Sequence, residues 1–262
     1  MKELCTVVVN SCDRYEEAWY PFFTLIKKYW PERKMPIVLN TETKQYEHGG
    51  IDIQCINTKE CITWSARLIN VLSRIKTKYV ILLLEDFFLQ SPVKEGEIFR
   101  CIDYMEQNPQ IATFYFKHIT GHDRMSEYPG YNEMDNNRKY ILNCQAAVWN
   151  RETLIALLNP SESPWDMEER AHLRVEDLTN KFYCSNVGTY TDSRENVFDY
   201  LWAVEAGYGI CKSKWLWNNK KLFRKNDIEM KYSQLAEMSY MEYIIGKIKE
   251  RIKRKRVIRY DE

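Results

Sequence analysis

Several large function classes are excluded by what this 262-residue chain lacks. Its longest purely apolar run, Val80–Leu84, is far too short for a bilayer-spanning helix. The eight cysteines are scattered with no CxxC pair, so zinc-knuckle spacing is absent. The apolar stretch after Met1 is short and soon reaches Asp13 and Arg14, so no secretory signal is expected and the thiols are read as reduced and buried in a cytoplasmic protein. Neither GxGxxG nor GxxxxGK[ST] occurs, which removes the fingerprints of dinucleotide-binding and P-loop proteins, and no GxSxG elbow supports a hydrolase. Histidine is scarce, at four; His118 and His122 have i, i+4 spacing, but Gly121 between them and the missing HExxH context argue against zinc. There is no internal repeat and no Gly/Ser-rich linker. An excess of one charge is missing too: 38 Lys+Arg against 37 Asp+Glu give +1, which disfavours an overall basic nucleic-acid binder.

What is present suits one α/β domain with a sizeable core, since 45% of residues are hydrophobic. Aromatics reach 14%, with 8 Trp and 18 Tyr, which fits pockets for ring-shaped ligands and equally an aromatic-heavy core. The near-neutral total hides an asymmetry. Between Gly246 and Tyr260 lie eight basic residues against Glu250 alone, a net +7, leaving −6 on the rest of the chain. We therefore divide the chain into a main domain, 1–239, and a basic amphipathic C-terminal helix, 240–262.

Hydrophobic periodicity predicts strands at Leu4–Asn10, Pro36–Leu39, Ile51–Ile56 and Lys78–Leu84, with helices at Glu16–Trp30 and Trp64–Ile75 between them. Alternation of this kind implies a mixed, mainly parallel sheet with flanking helices, whose ligands sit beyond the carboxyl ends of the strands. Three polar clusters fall at those ends: Asn10, Ser11, Asp13 and Arg14; Asn40–Glu42; and Glu85–Asp86. Further along, Lys94–Asn108 reads as a helix and Ile111–Phe116 as a strand. His118–Arg138 reads as a loop or hairpin over the site, and Lys181–Thr191 and Gly209–Leu216 as strands.

The order VVVNSCDRY, PIVLNTE and WSARLINVLSRIKTKYVILLLEDFFL resembles nucleotide-sugar glycosyltransferases of the GT-A fold. The segment QAAVWNRETLIALLNPSESPWDMEE is similar to bacterial surface-polysaccharide transferases, in which Gln, Trp and then PWxxE recur. The resemblance covers about residues 4–216. It implies a GT-A-like, Rossmann-like nucleotide-binding domain that moves a sugar from a nucleotide-diphosphate sugar, in the first place a UDP-sugar, to a saccharide or lipid-linked acceptor in capsule, lipopolysaccharide or related synthesis. It implies that Asn10, Ser11, Asp13, Arg14, Glu42 and Arg67 meet the nucleotide, and that Glu85 and Asp86 replace the family's DxD acids. A DxD would need an acid where Phe87 stands. Two routes to support the diphosphate therefore remain: Mn²⁺ or Mg²⁺ on Asp86, or basic side chains alone. An inverting enzyme needs a carboxylate base; Glu168 matches the Glu of PWxxE, with Asp166 as second choice, although acids there also suit the first turn of a helix. Gln145, Trp149 and Trp165 would contact the acceptor sugar, or else serve packing and backbone pairing.

The rival readings are a non-catalytic glycan-binding or scaffold protein of the same fold, and a nucleotidyltransferase. Met241, Ile244, Ile245, Ile248 and Ile252 form an apolar stripe among basic residues, which suits a helix lying on an anionic membrane surface on the inner face, ahead of docking on its own domain or on nucleic acid. Oligomeric state has no sequence signal.

Overall fold

The computed structural model describes residues 4–119, 121, 123–188, 194–202 and 208–258, with side chains up to 249. His122 lies outside the described residues.

The first strand, β1 (Cys5–Asn10), is buried throughout, and so are β2 (Ile37–Thr41) and most of β4 (Tyr79–Leu84); β3 (Ile53–Asn57) closes this edge. Successive side chains on a strand point to opposite faces. Val7, Val9, Ile81 and Leu83 accordingly join one core, and Val8, Val80 and Leu82 the other. A continuous apolar run such as YVILLL is what a strand covered on both faces requires, each fully buried branched side chain contributing about 1.5–3 kcal/mol. The first core is capped by α1 (Glu16–Tyr29) and α3 (Glu95–Gln107), and the second by α2 (Trp64–Arg74).

Beyond β4 the chain adds β5 (Ile111–Tyr115), β6 (Arg124–Met125), β7 (Tyr131–Glu133), β8 (Ala147–Asn150) and β9 (Lys181–Ser185). The sheet order is β3-β2-β1-β4-β8-β5-β9-β7-β6. Only β8 and β7 oppose the common direction, so the sheet is mixed and mainly parallel, as the alternation predicts. Three short helices, α4 (Arg151–Leu157), α5 (Pro164–Arg170) and α6 (His172–Val175), complete the second face.

Two expectations are corrected. The 118–138 segment does not cover the site: its β6–β7 hairpin extends the far sheet edge through β7–β9, and no described residue in it lines the cleft. Residues 209–216 are not one strand but a hairpin, β10 (Ile210–Cys211) and β11 (Lys214–Leu216), turned at Lys212 (φ 50°) and Ser213 (φ 58°). Such two-residue turns need left-handed backbone and usually announce themselves with Asn or Gly; here neither residue does. After α7 (Asn219–Lys225), β12 (Glu237–Met238) pairs with β11 in a small separate sheet, and α8 (Tyr240–Ile258) follows. Among the described residues no helix is long and apolar enough to cross a membrane.

Candidate active site

A cleft of about 330 Å³ opens where β1 and β4 end side by side, with Asn10 paired to Leu84 on one flank and to Asn40 on the other. Its walls come from Asn10 at the end of β1 and Ser11, Cys12 and Tyr15 after it, Glu85 and Asp86 after β4, Trp64 and Arg67 in the first turn of α2, Cys144 in the loop before β8, Pro164 and Trp165 at the start of α5, and Ile210 and Lys212 in the hairpin. Helix α2 starts where it does because Thr63 Oγ1 accepts from Ala66 N at 3.1 Å, an N-cap that turns Trp64 and Arg67 inward. The α5 N-terminus abuts it: Ser65 N donates to Glu162 O at 3.3 Å.

Glu85 and Asp86 are almost fully buried. Burial raises both carboxyls well above their ordinary range; the Asp86 charge raises Glu85 further, and the Ser11 hydroxyl offsets part of that. Asp86 Oδ2 accepts from Ile210 N at 3.1 Å and the Asp86 carbonyl accepts from Gly209 N at 3.3 Å, which ties the hairpin to the end of β4. Gly209 lies against the Phe88 ring so closely that a Cβ would run into it. On the other side, Tyr15 Oη and Ser213 Oγ lie 3.2 Å apart and fix the hairpin tip at the cleft mouth.

Arg67 is 8% exposed. Its Nη1 lies 2.7 Å from Glu42 Oε1, and its Nε has no protein acceptor. Asn10 accepts from Asn40 Nδ2 at 2.6 Å through Oδ1, while its own buried Nδ2 has no acceptor in the protein. Ser11 Oγ is fixed by Trp19 Nε1 at 2.8 Å. The cleft floor therefore sets two buried acids beside a buried guanidinium and an amide donor.

Other residues singled out from the sequence do not reach the cleft wall. Asp13 clamps the loop after β2, accepting from Glu42 N at 2.9 Å, Thr43 N at 3.0 Å and Thr43 Oγ1 at 2.6 Å. Burial raises its carboxyl, but those bonds outweigh burial and hold it below its ordinary value. Glu42 returns the contact by accepting from Asp13 N at 3.0 Å. Asp13 thus positions Glu42, and through it Arg67. Arg14 is exposed and outside the cleft wall.

The second acidic focus separates in the same way. Asp166 completes a capping box, accepting from Ser163 Oγ at 2.6 Å and from Ser163 N at 3.2 Å; these bonds lower its pKa, so it is a helix cap rather than a base. Glu168 is half-buried, accepts from Cys144 N at 2.9 Å, and is raised by burial. It lies directly behind Cys144, which is itself on the cleft wall. Trp165 is 76% exposed and lines the same cleft. Trp149 is corrected to a core side chain: it is 1% exposed and packs edge-on against Tyr115 at 5.5 Å. Gln145 is off the cleft wall, its Oε1 accepting from Tyr200 at 3.2 Å and from Tyr208.

Those tyrosines belong to a cluster the sequence did not reveal. Buried Lys117 sits 4.0 Å from the Trp202 ring centroid, 5.3 Å from Tyr200 and 5.1 Å from Tyr208, and burial lowers it to about 8. Phe87 stacks on Tyr200 at 4.5 Å, which joins this cage to the residue after Asp86. Cleft residues Tyr15, Trp64, Cys144 and Lys212 were missed as well. Trp64 alone carried a signal, its place just after a capping threonine.

No family model matches this chain, and no curated protein matches it. Among solved structures, the chain is similar to S. aureus TarS 1–349 in complex with UDP (11% identity, TM-score 0.46, covering 72% of this chain and 59% of that one). It is also similar to the mannosyltransferase PcManGT from Pyrobaculum calidifontis in complex with GDP-Man and Mn²⁺ (10%, 0.45, 70% and 57%). A third is a CMP:2-keto-3-deoxy-manno-octonic acid synthetase complexed with CTP (12%, 0.42, 69% and 88%). At these identities and scores the likenesses carry no argument, and the chemistry rests on the chain's own cleft.

Proposed function

We propose that the protein is a glycosyltransferase that binds a nucleotide-diphosphate sugar, in the first place a UDP-sugar, in this cleft. The observation that carries the reading is the meeting of Glu85, Asp86 and Arg67, all buried, with Asn10 and Ser11 at the carboxyl ends of two adjacent parallel strands. Asn10 and Arg67 supply donors to the nucleotide. Glu85 and Asp86 would hold a divalent cation as two hard-oxygen ligands: burial raises both carboxyls and the Asp86 charge raises Glu85 further, and a cation there would favour their charged forms. Held by these two residues, Mn²⁺ or Mg²⁺ would supply charge neutralisation to a diphosphate leaving group.

Transfer is inverting. The acceptor hydroxyl oxygen bonds to the anomeric carbon as the bond from that carbon to the diphosphate oxygen breaks, Glu168 takes the hydroxyl proton, and the nucleoside diphosphate leaves. Trp165 offers its exposed face to the acceptor sugar. The acceptor is a saccharide or lipid-linked glycan of surface-polysaccharide synthesis such as capsule or lipopolysaccharide, and the basic 240–262 segment holds the enzyme on an anionic inner membrane face.

Release of nucleoside diphosphate from a panel of nucleotide sugars tests the reading. Wild-type protein should turn over one donor class, and Glu168→Gln should reduce turnover by ~10²–10⁴-fold while retaining donor binding. Unchanged turnover in the variant removes Glu168 from the base role. Folded wild-type protein that turns over no donor points instead to a non-catalytic glycan-binding protein.

A further inference from the structure

A second cavity lies outside the cleft. A groove of about 580 Å³ runs between the β10–β11 hairpin and the first turns of α8, within the size range of small-molecule sites, about 300–1,000 Å³. Its walls are mostly apolar, with Met238, Met241, Tyr243 and Ile245 prominent, and its cations are Lys212, Lys247 and Lys249. The Lys247 ammonium lies 5.6 Å from the centre of the Tyr243 ring. Glu242 is the one acid on the wall, and it is paired with Lys214 at 2.5 Å.

Three observations separate this groove from an ordinary helix–sheet seam. Tyr243, with Ile244 beside it, already docks α8 on Leu216 and Met238, yet Met241, Ile245 and Ile248 remain 65%, 48% and 51% exposed. Gly246 sits inside the helix and on the groove wall, where glycine is costly relative to alanine, although a Cβ there would meet nothing within 4 Å. Among the described residues no neighbour asks for that glycine, and without a side chain it leaves the groove wide. Finally, Lys212 lines both the groove and the catalytic cleft, so the hairpin tip is a shared wall.

We infer that the groove holds the apolar chain of the acceptor, with its phosphate head at Lys212 and Lys247. This rests on the transferase reading and narrows it: the acceptor is a single-chain lipid phosphate carrying the growing saccharide. An apolar trough rimmed by lysines complements an anionic amphiphile. Its opening beside the cleft delivers the head group to the transfer site, which a bulk membrane lipid would not require.

Isothermal titration of the full chain with decyl phosphate below its micelle concentration tests this, alongside decyl maltoside, inorganic phosphate and anionic phosphatidylglycerol vesicles. Saturable one-to-one binding of decyl phosphate is expected, at least tenfold tighter than decyl maltoside or phosphate alone. Ile245→Glu, at an exposed position, and Gly246→Phe, which fills the trough, should each weaken it at least tenfold. The melting-temperature shift caused by UDP should be unchanged in both variants. Absence of saturable binding, or equal binding by both variants, overturns the groove proposal even where the UDP shift persists. Binding confined to vesicles overturns it in favour of a surface-attached helix. Decyl phosphate binding without any UDP shift would leave the groove standing and contradict the donor reading.

Discussion

Adjacent buried carboxylates set the pH behaviour of this protein. Burial keeps protons on Glu85 and Asp86 in the native state that the unfolded chain has already released, so the native state binds more protons as pH rises above the ordinary carboxylate range. Stability must then fall over that interval. Urea midpoints taken from pH 5 to 8 should decline in wild type and decline less in Asp86→Asn; a steeper decline in the variant would contradict the assignment. Trp165 makes the opposite kind of prediction. At 76% exposure its removal costs the fold little, within about 0.5 kcal/mol, while Trp165→Ala raises the KM for acceptor and leaves that for donor alone. At this scale the strand-end rule found Asn10, Ser11, Glu85 and Asp86, because buried strands must stop at polar residues and this sheet opens at its carboxyl edge; Arg67, in α2, was reached only through the resemblance. The resemblance already put Glu168 ahead of Asp166 as base. Both are acids in one short helix, and the Ser163 hydroxyl, which captures Asp166, is what the structure adds to tell cap from candidate base.

Among the elements, the β10–β11 hairpin does most to shape the cleft and left least trace in the sequence. Its strands span two and three residues, too few for alternation to register, and its turn uses Lys212 and Ser213 at positive φ. What fixes it is long-range: Asp86 to Ile210 and Gly209, Phe88 against Gly209, and Tyr15 to Ser213. Gly209→Ala should therefore overpack this junction, lowering stability by about 1–3 kcal/mol and weakening nucleotide binding; chemical denaturation and a binding titration on the same samples check it. An unchanged nucleotide affinity would show that the hairpin is not part of the donor site. Helices were legible to within a residue where caps are local. Thr63→Ala should cost about 1 kcal/mol by removing the Ala66 bond. Strand β8 has only four residues although the apolar stretch begins at Tyr140, since Ile141 and Leu142 are buried loop side chains that look like strand in the sequence.

The whole molecule joins a two-faced sheet to a charged, half-docked helix. The sheet was legible because its inner strands are near-continuous apolar runs. The division of α8 into a docked face and an exposed face was not, because one apolar stripe serves both. Residues 250–262 carry Arg251, Lys253, Arg254, Lys255, Arg256 and Arg259, each worth about 1 kcal/mol near an anionic bilayer. Removing them should abolish co-sedimentation with anionic vesicles at physiological salt while leaving donor binding intact, and equal sedimentation with and without them would refute the membrane role. The account as a whole turns on one claim, that the cleft between β1 and β4 is a nucleotide-sugar site. A thermal-shift titration of UDP, UDP-sugars and other nucleotides, with and without Mn²⁺ or Mg²⁺, meets it most directly. One nucleotide class should raise the melting temperature, with about 2.7 kcal/mol of stabilisation at a hundred times its Kd. The rise should be enhanced by the metal and lost in Arg67→Ala and Asp86→Asn. Well-folded protein that shifts with no nucleotide, or shifts equally in both variants, would contradict the claim.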